Sequence, residues 1–166
     1  MLVAVMSDSH DNIPALRRAV SISVDRGCGM IIHCGDFVAP FMLNELDAAG
    51  IPVHGVFGNN DGDRYLLTKN SLTVCKNITL HGWFGKVDAG GRTIAFIHDG
   101  TVADDLAAGG RYDIVCFGHF HVYSRKMVGN TLVLNPGELL GKDGPPGFCI
   151  LDTESLQVER VECKGD

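Results

Sequence analysis

"MLVAVMSDSHDNIPALRRAVSISVDRG", residues 1–27, places three signals in a row. Leu2–Met6 is a short continuous apolar run, as expected of a strand buried on both faces. Asp8 and His10 follow at once. Ile13–Asp25 then reads as a helix, with Pro14 in its first turn, Gly27 beyond its end, and Leu16, Val20 and Val24 recurring every four residues. Strand, polar loop and helix in that order begin an α/β sheet.

The alternation continues outward. Met30–His33 reads as a second strand, Val38–Ala49 as a helix stopped by Gly50, and Val53–Phe57 as a third strand. Strands separated by helices imply parallel neighbours with covered faces. From Leu72 onward the runs shorten. Leu72–Val74, Ile78–Leu80, Phe84–Asp88, Thr93–His98 and Ile114–Phe117 are β-like, with one helix at Thr101–Ala108. Val122–Val128, Thr131–Leu134, Phe148–Leu151 and Gln157–Val161 read as strands joined by tight turns, "VGNT" at 128–131 being a hairpin signal. The second half is therefore richer in antiparallel strands. The expected fold is α/β, two packed mixed β-sheets flanked by helices, in one domain over residues 1–166.

Apolar residues make up 45% of the chain and charged residues 20%, the balance of a soluble globule. The formal charge of −6 argues against nucleic acid as a partner, which needs a Lys/Arg surface. Cys28, Cys34, Cys75, Cys116, Cys149 and Cys163 form no C-x-x-C pair, and Cys34 and Cys116 lie in apolar runs where a small buried hydrophobe fits. No disulfide framework is indicated, so a reducing cytoplasm is expected. The N-terminus lacks a basic leader region, and no apolar run approaches the roughly 18 residues that span a bilayer, so no membrane association is expected.

Five loops break the pattern in the same way, with an apolar run ending and metal-capable side chains following. They are Asp8-x-His10, Gly35-Asp36, Gly58-Asn59-Asn60-Asp61, His98, and Gly118-His119-Phe120-His121. Singly, Asp8 or Asp36 reads as a turn or cap residue, and His98 as a hydrogen-bonded core histidine. Together, at strand ends where open α/β sheets build their sites, they point to a metal cluster. Imidazole nitrogen with carboxylate or amide oxygen, and no thiolate, suits Mn²⁺, Fe²⁺, Ni²⁺ or Zn²⁺ rather than Ca²⁺.

The series D-x-H, G-D, G-N-x-D, H and G-H-x-H resembles the calcineurin-like metallophosphoesterases. The short chain and Asn135-Pro136-Gly137-Glu138, where that family's bacterial and archaeal branch usually has N-P-G-S, resemble its small single-domain phosphodiesterases. The resemblance runs from Leu2 to about Gly137. It implies one metal held by Asp8, His10, Asp36 and His121, and a second held by Asp36, Asn59, His98 and His119, with Asp36 bridging. The implied cofactors are two divalent transition-metal ions, manganese first and nickel, iron or zinc as alternatives. Two such ions less two Asp charges leave a cluster of roughly 2+, attractive to phosphate, and at a separation of about 3.5–4 Å they can share a nucleophilic hydroxide. The implied substrate is a small phosphate ester.

Departures from the family pattern bear on substrate. Many members have His where this chain has Asn60, and small phosphodiesterases often have Cys. Asn donates a hydrogen bond but no proton at neutral pH, so the expected activity is a phosphodiesterase acting on esters with activated leaving groups, with Asp36 and Asn60 as catalytic residues. Asp99 replaces the glycine of the usual H-G-H and is expected beside the substrate together with Asn60. Glu138 adds an acid if it lies near. Asp61 reads as the N-cap of the segment through Lys69, and Asn12 as the cap of the first helix. His33 is expected to be packed inside, His54 and His81 to be structural, and Trp83 to be too isolated for a base-stacking platform. The alternatives are a catalytically weak interaction scaffold of the same fold, like the retromer scaffold subunit, and a phosphomonoesterase; a homo-oligomer stays open.

Overall fold

A computed structural model describes residues 1–163, so the last three residues of the expected domain lie outside the described residues. The elements are β1 (Leu2–Met6), α1 (Ile13–Asp25), β2 (Met30–His33), α2 (Met42–Asp47), β3 (Val53–Gly55), α3 (Arg64–Thr73), β4 (Ile78–Leu80), β5 (Phe84–Ala89) and β6 (Arg92–Ile97). They continue with α4 (Ala103–Ala108), β7 (Ile114–Cys116), β8 (Ser124–Val128), β9 (Thr131–Asn135), β10 (Gly147–Asp152) and β11 (Val158–Glu162).

Two mixed sheets result, ordered β11-β10-β1-β2-β3-β4 and β5-β6-β7-β9-β8. In the first sheet β1, β2, β3 and β4 are parallel, with β10 antiparallel to β1 in the register Leu2 opposite Asp152. In the second, β6, β7 and β9 are parallel, while β5 and β8 run antiparallel at its edges. Strand alternation sets the layers. Val3 and Val5 of β1 pack with Phe96, Cys116 and Leu134 of the second sheet, whereas Ala4 and Met6 face Leu16, Leu43 and Leu67 of the helices. Ala103 and Ala107 of α4 cover the outer side of the second sheet against Ala95, Val115 and Val133. The order is therefore helices, sheet, sheet, helix, as expected.

Local boundaries differ where side-chain chemistry overrides the apolar pattern. The helix expected at Val38–Ala49 is confined to Met42–Asp47, because Val38 is held at φ +78° and Pro40 precedes the first turn. Leu72–Val74 is no strand. It closes α3, with Leu72 78% and Val74 60% exposed, because Asp63 caps that helix by accepting from Leu66 N at 2.9 Å. Strand β3 stops at Gly55 instead of Phe57, and the expected helix at Thr101–Ala108 is a 3₁₀ turn, Gly100–Val102, leading into α4. Asn12 does cap α1, accepting from Ala15 N at 3.2 Å.

All six cysteines are free, and Cys34 and Cys116 are buried between the sheets. His54 and His81 hydrogen-bond to each other at 2.9 Å across β3 and the end of β4. No helix among the described residues is long and apolar enough to cross a membrane. Leu16 is fully buried under β1, whereas Val24 on the same helix is 42% exposed. Leu16→Ala should therefore lower unfolding free energy by about 2–5 kcal/mol in urea titration, while Val24→Ala stays within about 0.5 kcal/mol.

Candidate metal centre

The candidate ligands sit just past the C-terminal ends of strands: Asp8 and His10 after β1, Asp36 after β2, Asn59 after β3, His98 after β6, and His119 and His121 after β7. Backbone bonds continue the parallel ladders into these loops, Asp8 N donating to Gly35 O at 3.0 Å, His10 N to Asp36 O at 3.1 Å, and Gly118 N to His98 O at 3.1 Å. The loops are bent hard. Asp8, His10, Asp36, His119 and His121 all have positive φ, between +39° and +70°. Asp and His tolerate this left-handed region better than branched residues, yet each such position costs on the order of 1–3 kcal/mol. Two glycines make the approach possible: a Cβ on Gly58 would run into Asp36 Oδ1, and one on Gly118 into Ser7 and Asp8.

The seven side chains converge. His10 Nε2 lies 3.3 Å from Asp36 Oδ2 and 3.8 Å from Asp8 Oδ1, and His121 Nε2 lies 3.3 Å from Asp8 Oδ1. On the other side Asn59 Oδ1 is 2.9 Å from His98 Nε2 and 2.8 Å from His119 Nδ1, and His98 Nε2 is 3.5 Å from Asp36 Oδ2. Asp36 Oδ2 thus stands between the two groups. Asp8, Asp36 and His98 form a buried floor, whereas Asn59, Asn60 and His119 are exposed at the rim.

The arrangement fits metal ions. Asp8 with His10 and His121, and Asp8 with Asp36 and His98, each bring ligand atoms within 4.8 Å of one another. Bonds of about 2.1 Å at right angles put neighbouring donors about 3.0 Å apart, close to the spacings found here. Asp8 Oδ1 and His10 Nε2 are buried without a well-formed hydrogen bond, although each has polar neighbours. Ring orientation is also fixed: His98 Nδ1 donates to Cys34 O at 2.8 Å, leaving Nε2 toward the cluster.

Charge compensation holds the carboxylates ionised. Burial pushes the Asp36 carboxyl up, but His10 and the donors of Asn60 outweigh it and hold it well below the usual range. Burial opposes ionisation of Asp8 too, and His10, His98 and His121 reverse the balance. The carboxylates of Asp36 and Asp8 raise His10 to about 9 against some desolvation. His33, expected inside, is fully buried beside Ser9 and stacked on Phe37, and burial drives it down to about 3.

Asn60 is turned onto Asp36, its backbone N donating to Oδ1 at 2.8 Å and its Nδ2 to Oδ2 at 2.7 Å. Asp99 lies beside His98 with Oδ1 accepting from Thr101 N and Oγ1, so it caps the 3₁₀ turn as well as bordering the cleft. Asp61 is not a helix cap. It is fully buried and accepts from Asp36 N at 3.1 Å, Gly58 N at 2.7 Å and Val38 N at 2.7 Å, which ties the β2 loop to the β3 loop. Glu138 does lie near: its Oε2 is 2.9 Å from His121 Nδ1, and Oε1 accepts from Asp143 N at 2.6 Å. A carboxylate on Nδ1 turns Nε2 of His121 toward Asp8.

Residues 1–156 match the calcineurin-like phosphoesterase superfamily domain. The chain belongs to this superfamily. Among calcineurin-like relatives, a phosphodiesterase of Methanocaldococcus jannaschii is 32% identical over 163 residues, covering 97% of this chain and 98% of that protein. The solved structure of an archaeal phosphodiesterase superposes with a TM-score of 0.89 at 32% identity, covering 98% of this chain and 99% of that one. Vacuolar Protein Sorting 29 of Cryptosporidium parvum has a TM-score of 0.69 at 17% identity, covering 96% of this chain and 95% of its own, a likeness of fold alone.

The raised His10 has a measurable consequence. Without metal it keeps its proton below about 9, so a metal taking Nε2 must displace that proton. Metal affinity should fall as pH drops from about 9, and calorimetry at pH 7 in buffers of different ionisation enthalpy should register proton release on metal uptake. Uptake with no proton release would place the metal elsewhere.

Proposed function

We propose that this calcineurin-like chain is a two-metal phosphodiesterase for small esters with good leaving groups. One observation carries the reading: the Asp36 carboxylate stands between Asp8, His10 and His121 on one side and Asn59, His98 and His119 on the other. Asp8, His10, Asp36 and His121 would hold one divalent ion, and Asp36, Asn59, His98 and His119 a second. The nitrogen and oxygen donor set favours manganese, with nickel, iron or zinc as alternatives. The ions would supply Lewis acidity toward the phosphoryl oxygens and an activated water for in-line attack. The kinship with an archaeal phosphodiesterase at 32% identity supports diesters over monoesters.

The chain's own residues do the rest. Asn60 and Asp61 hold Asp36 and its loop, and Glu138 orients His121. Gly35 and Gly58 let the two loops close on one another. Asn60 has no proton to give a departing oxygen, so the leaving group must depart as an anion, as phenolates do. The six free cysteines agree with a cytoplasmic setting, and one domain would carry the whole reaction. An interaction scaffold has less support, because such a role makes no use of seven convergent donors.

The test combines metal content with turnover of bis(4-nitrophenyl) phosphate. The wild type should hold two ions per chain, and Asp36→Asn should lose at least one of them along with roughly 10²–10³-fold or more of kcat. An active chain with a single ion, or full activity in Asp36→Asn, refutes the reading. Asn60→His should raise kcat/KM for alkyl relative to aryl phosphates by about 10²-fold or more, the contribution of a positioned general acid.

A further inference from the structure

Beside Asn59, His98 and His119 the site opens into a cleft of about 320 Å³ whose remaining walls are Phe57, Trp83, Ile97 and Asp99. We propose that this cleft receives a flat aromatic substituent of the phosphoester, an aryl ring or a nucleobase, packed against Trp83 while the phosphate lies on the metal ligands. The inference rests on the phosphoesterase reading and adds a substrate class to it.

Trp83 was expected to be an isolated surface aromatic, but its surroundings give it a place in the site. It sits in the turn between β4 and β5, 56% exposed, with that exposed indole forming a cleft wall. Two neighbours hold the ring. The Arg64 guanidinium stacks over it at 4.5 Å, and Phe57 meets it edge-on at 6.1 Å and 73°. Arg64 Nη2 also donates to Gly58 O at 3.4 Å, which links the stack to the loop carrying Asn59. A large apolar ring kept exposed yet fixed in orientation is suited to stacking, because little freedom remains to be lost on binding.

Register supplies the second argument. Phe57 lies two residues before Asn59, and Ile97 immediately precedes His98, so the same strand ends furnish both the apolar walls and the metal-capable donors. A ring in the cleft therefore brings its ester phosphorus to the cluster. The volume is at the small end of ligand pockets, which run about 300–1,000 Å³, and suits one ring system rather than an extended chain. Asp99 borders the cleft and burial does little to it, while the Thr101 donors keep it ionised. Its charge repels a substituent carrying further phosphate and accepts from ring N–H groups.

The test uses phenylphosphonate and methylphosphonate, which share a charged head and differ in the ring. Calorimetry on the metal-loaded protein should give about tenfold tighter binding of phenylphosphonate, and binding should change the emission of Trp83, the one tryptophan of the chain. Trp83→Ala should bring the ratio of the two affinities to within about twofold, and Trp83→Phe should retain most of it. Metal content measured on each variant reports its folding. A Trp83-dependent margin of adenosine 5′-phosphate over ribose 5-phosphate would identify a nucleobase as the occupant; a phenyl margin without it would identify a simple aryl group. Equal affinities in the wild type, or a phenyl margin that survives Trp83→Ala, overturns the proposal. A protein that hydrolyses bis(4-nitrophenyl) phosphate without a phenyl preference refutes the cleft alone, whereas one that neither takes up metal nor hydrolyses it refutes the phosphoesterase reading and the cleft with it.

Discussion

Two buried carboxylates, Asp8 and Asp36, set the terms for the rest of the molecule. An ionised carboxylate away from water is tolerated only with opposite charge and hydrogen-bond donors around it. Loops from both sheets meet to provide them. His119 N donates to Asp8 Oδ2 at 3.1 Å, and Asn60 gives two donors to Asp36. Each sheet supplies what the other lacks: the first contributes the carboxylates, His10 and Asn59, and the second contributes His98, His119 and His121. The packing of the sheets and the assembly of the site are therefore one event.

The same demand explains the polar residues behind the cluster. Asp61 is itself a buried acid, pushed up by burial and by the nearby Asp36, yet it satisfies three backbone N–H groups from two loops. His33 is kept neutral by burial and fills the space between Ser9 and Phe37 without adding charge. The result is a rigid, charged floor with an exposed rim, in a chain whose overall charge is −6. Local field and overall charge are separable, and only the first bears on what binds at the rim.

Much of this was legible because strand ends and metal-capable residues coincide in the sequence. D-x-H after Leu2–Met6 and G-H-x-H after Ile114–Phe117 could be read without knowing how the sheets pack. What escaped was set by distant partners. Asp61 looks like a local cap because capping is a short-range signal, but its bonds to Asp36 and Val38 reach back 25 and 23 residues. Leu72–Val74 looked like a strand because three apolar or β-branched residues carry that propensity, and the Asp63 cap overrode it. Glu138 could be flagged as an extra acid, but its contact with His121 depends on how β9 lies beside β7. Trp83 gave no pattern at all, since its neighbours come from Phe57 and from α3.

The twisted backbone at Asp8, His10, Asp36, His119 and His121 has an evolutionary corollary. Glycine would sit in those conformations with less strain than the residues present, so selection for sturdiness alone would erase the very side chains that chemistry requires. A descendant lineage freed from turnover could shed them one by one without losing its architecture. Such an inert descendant would be the hardier molecule, free to take up work that needs only a stable surface.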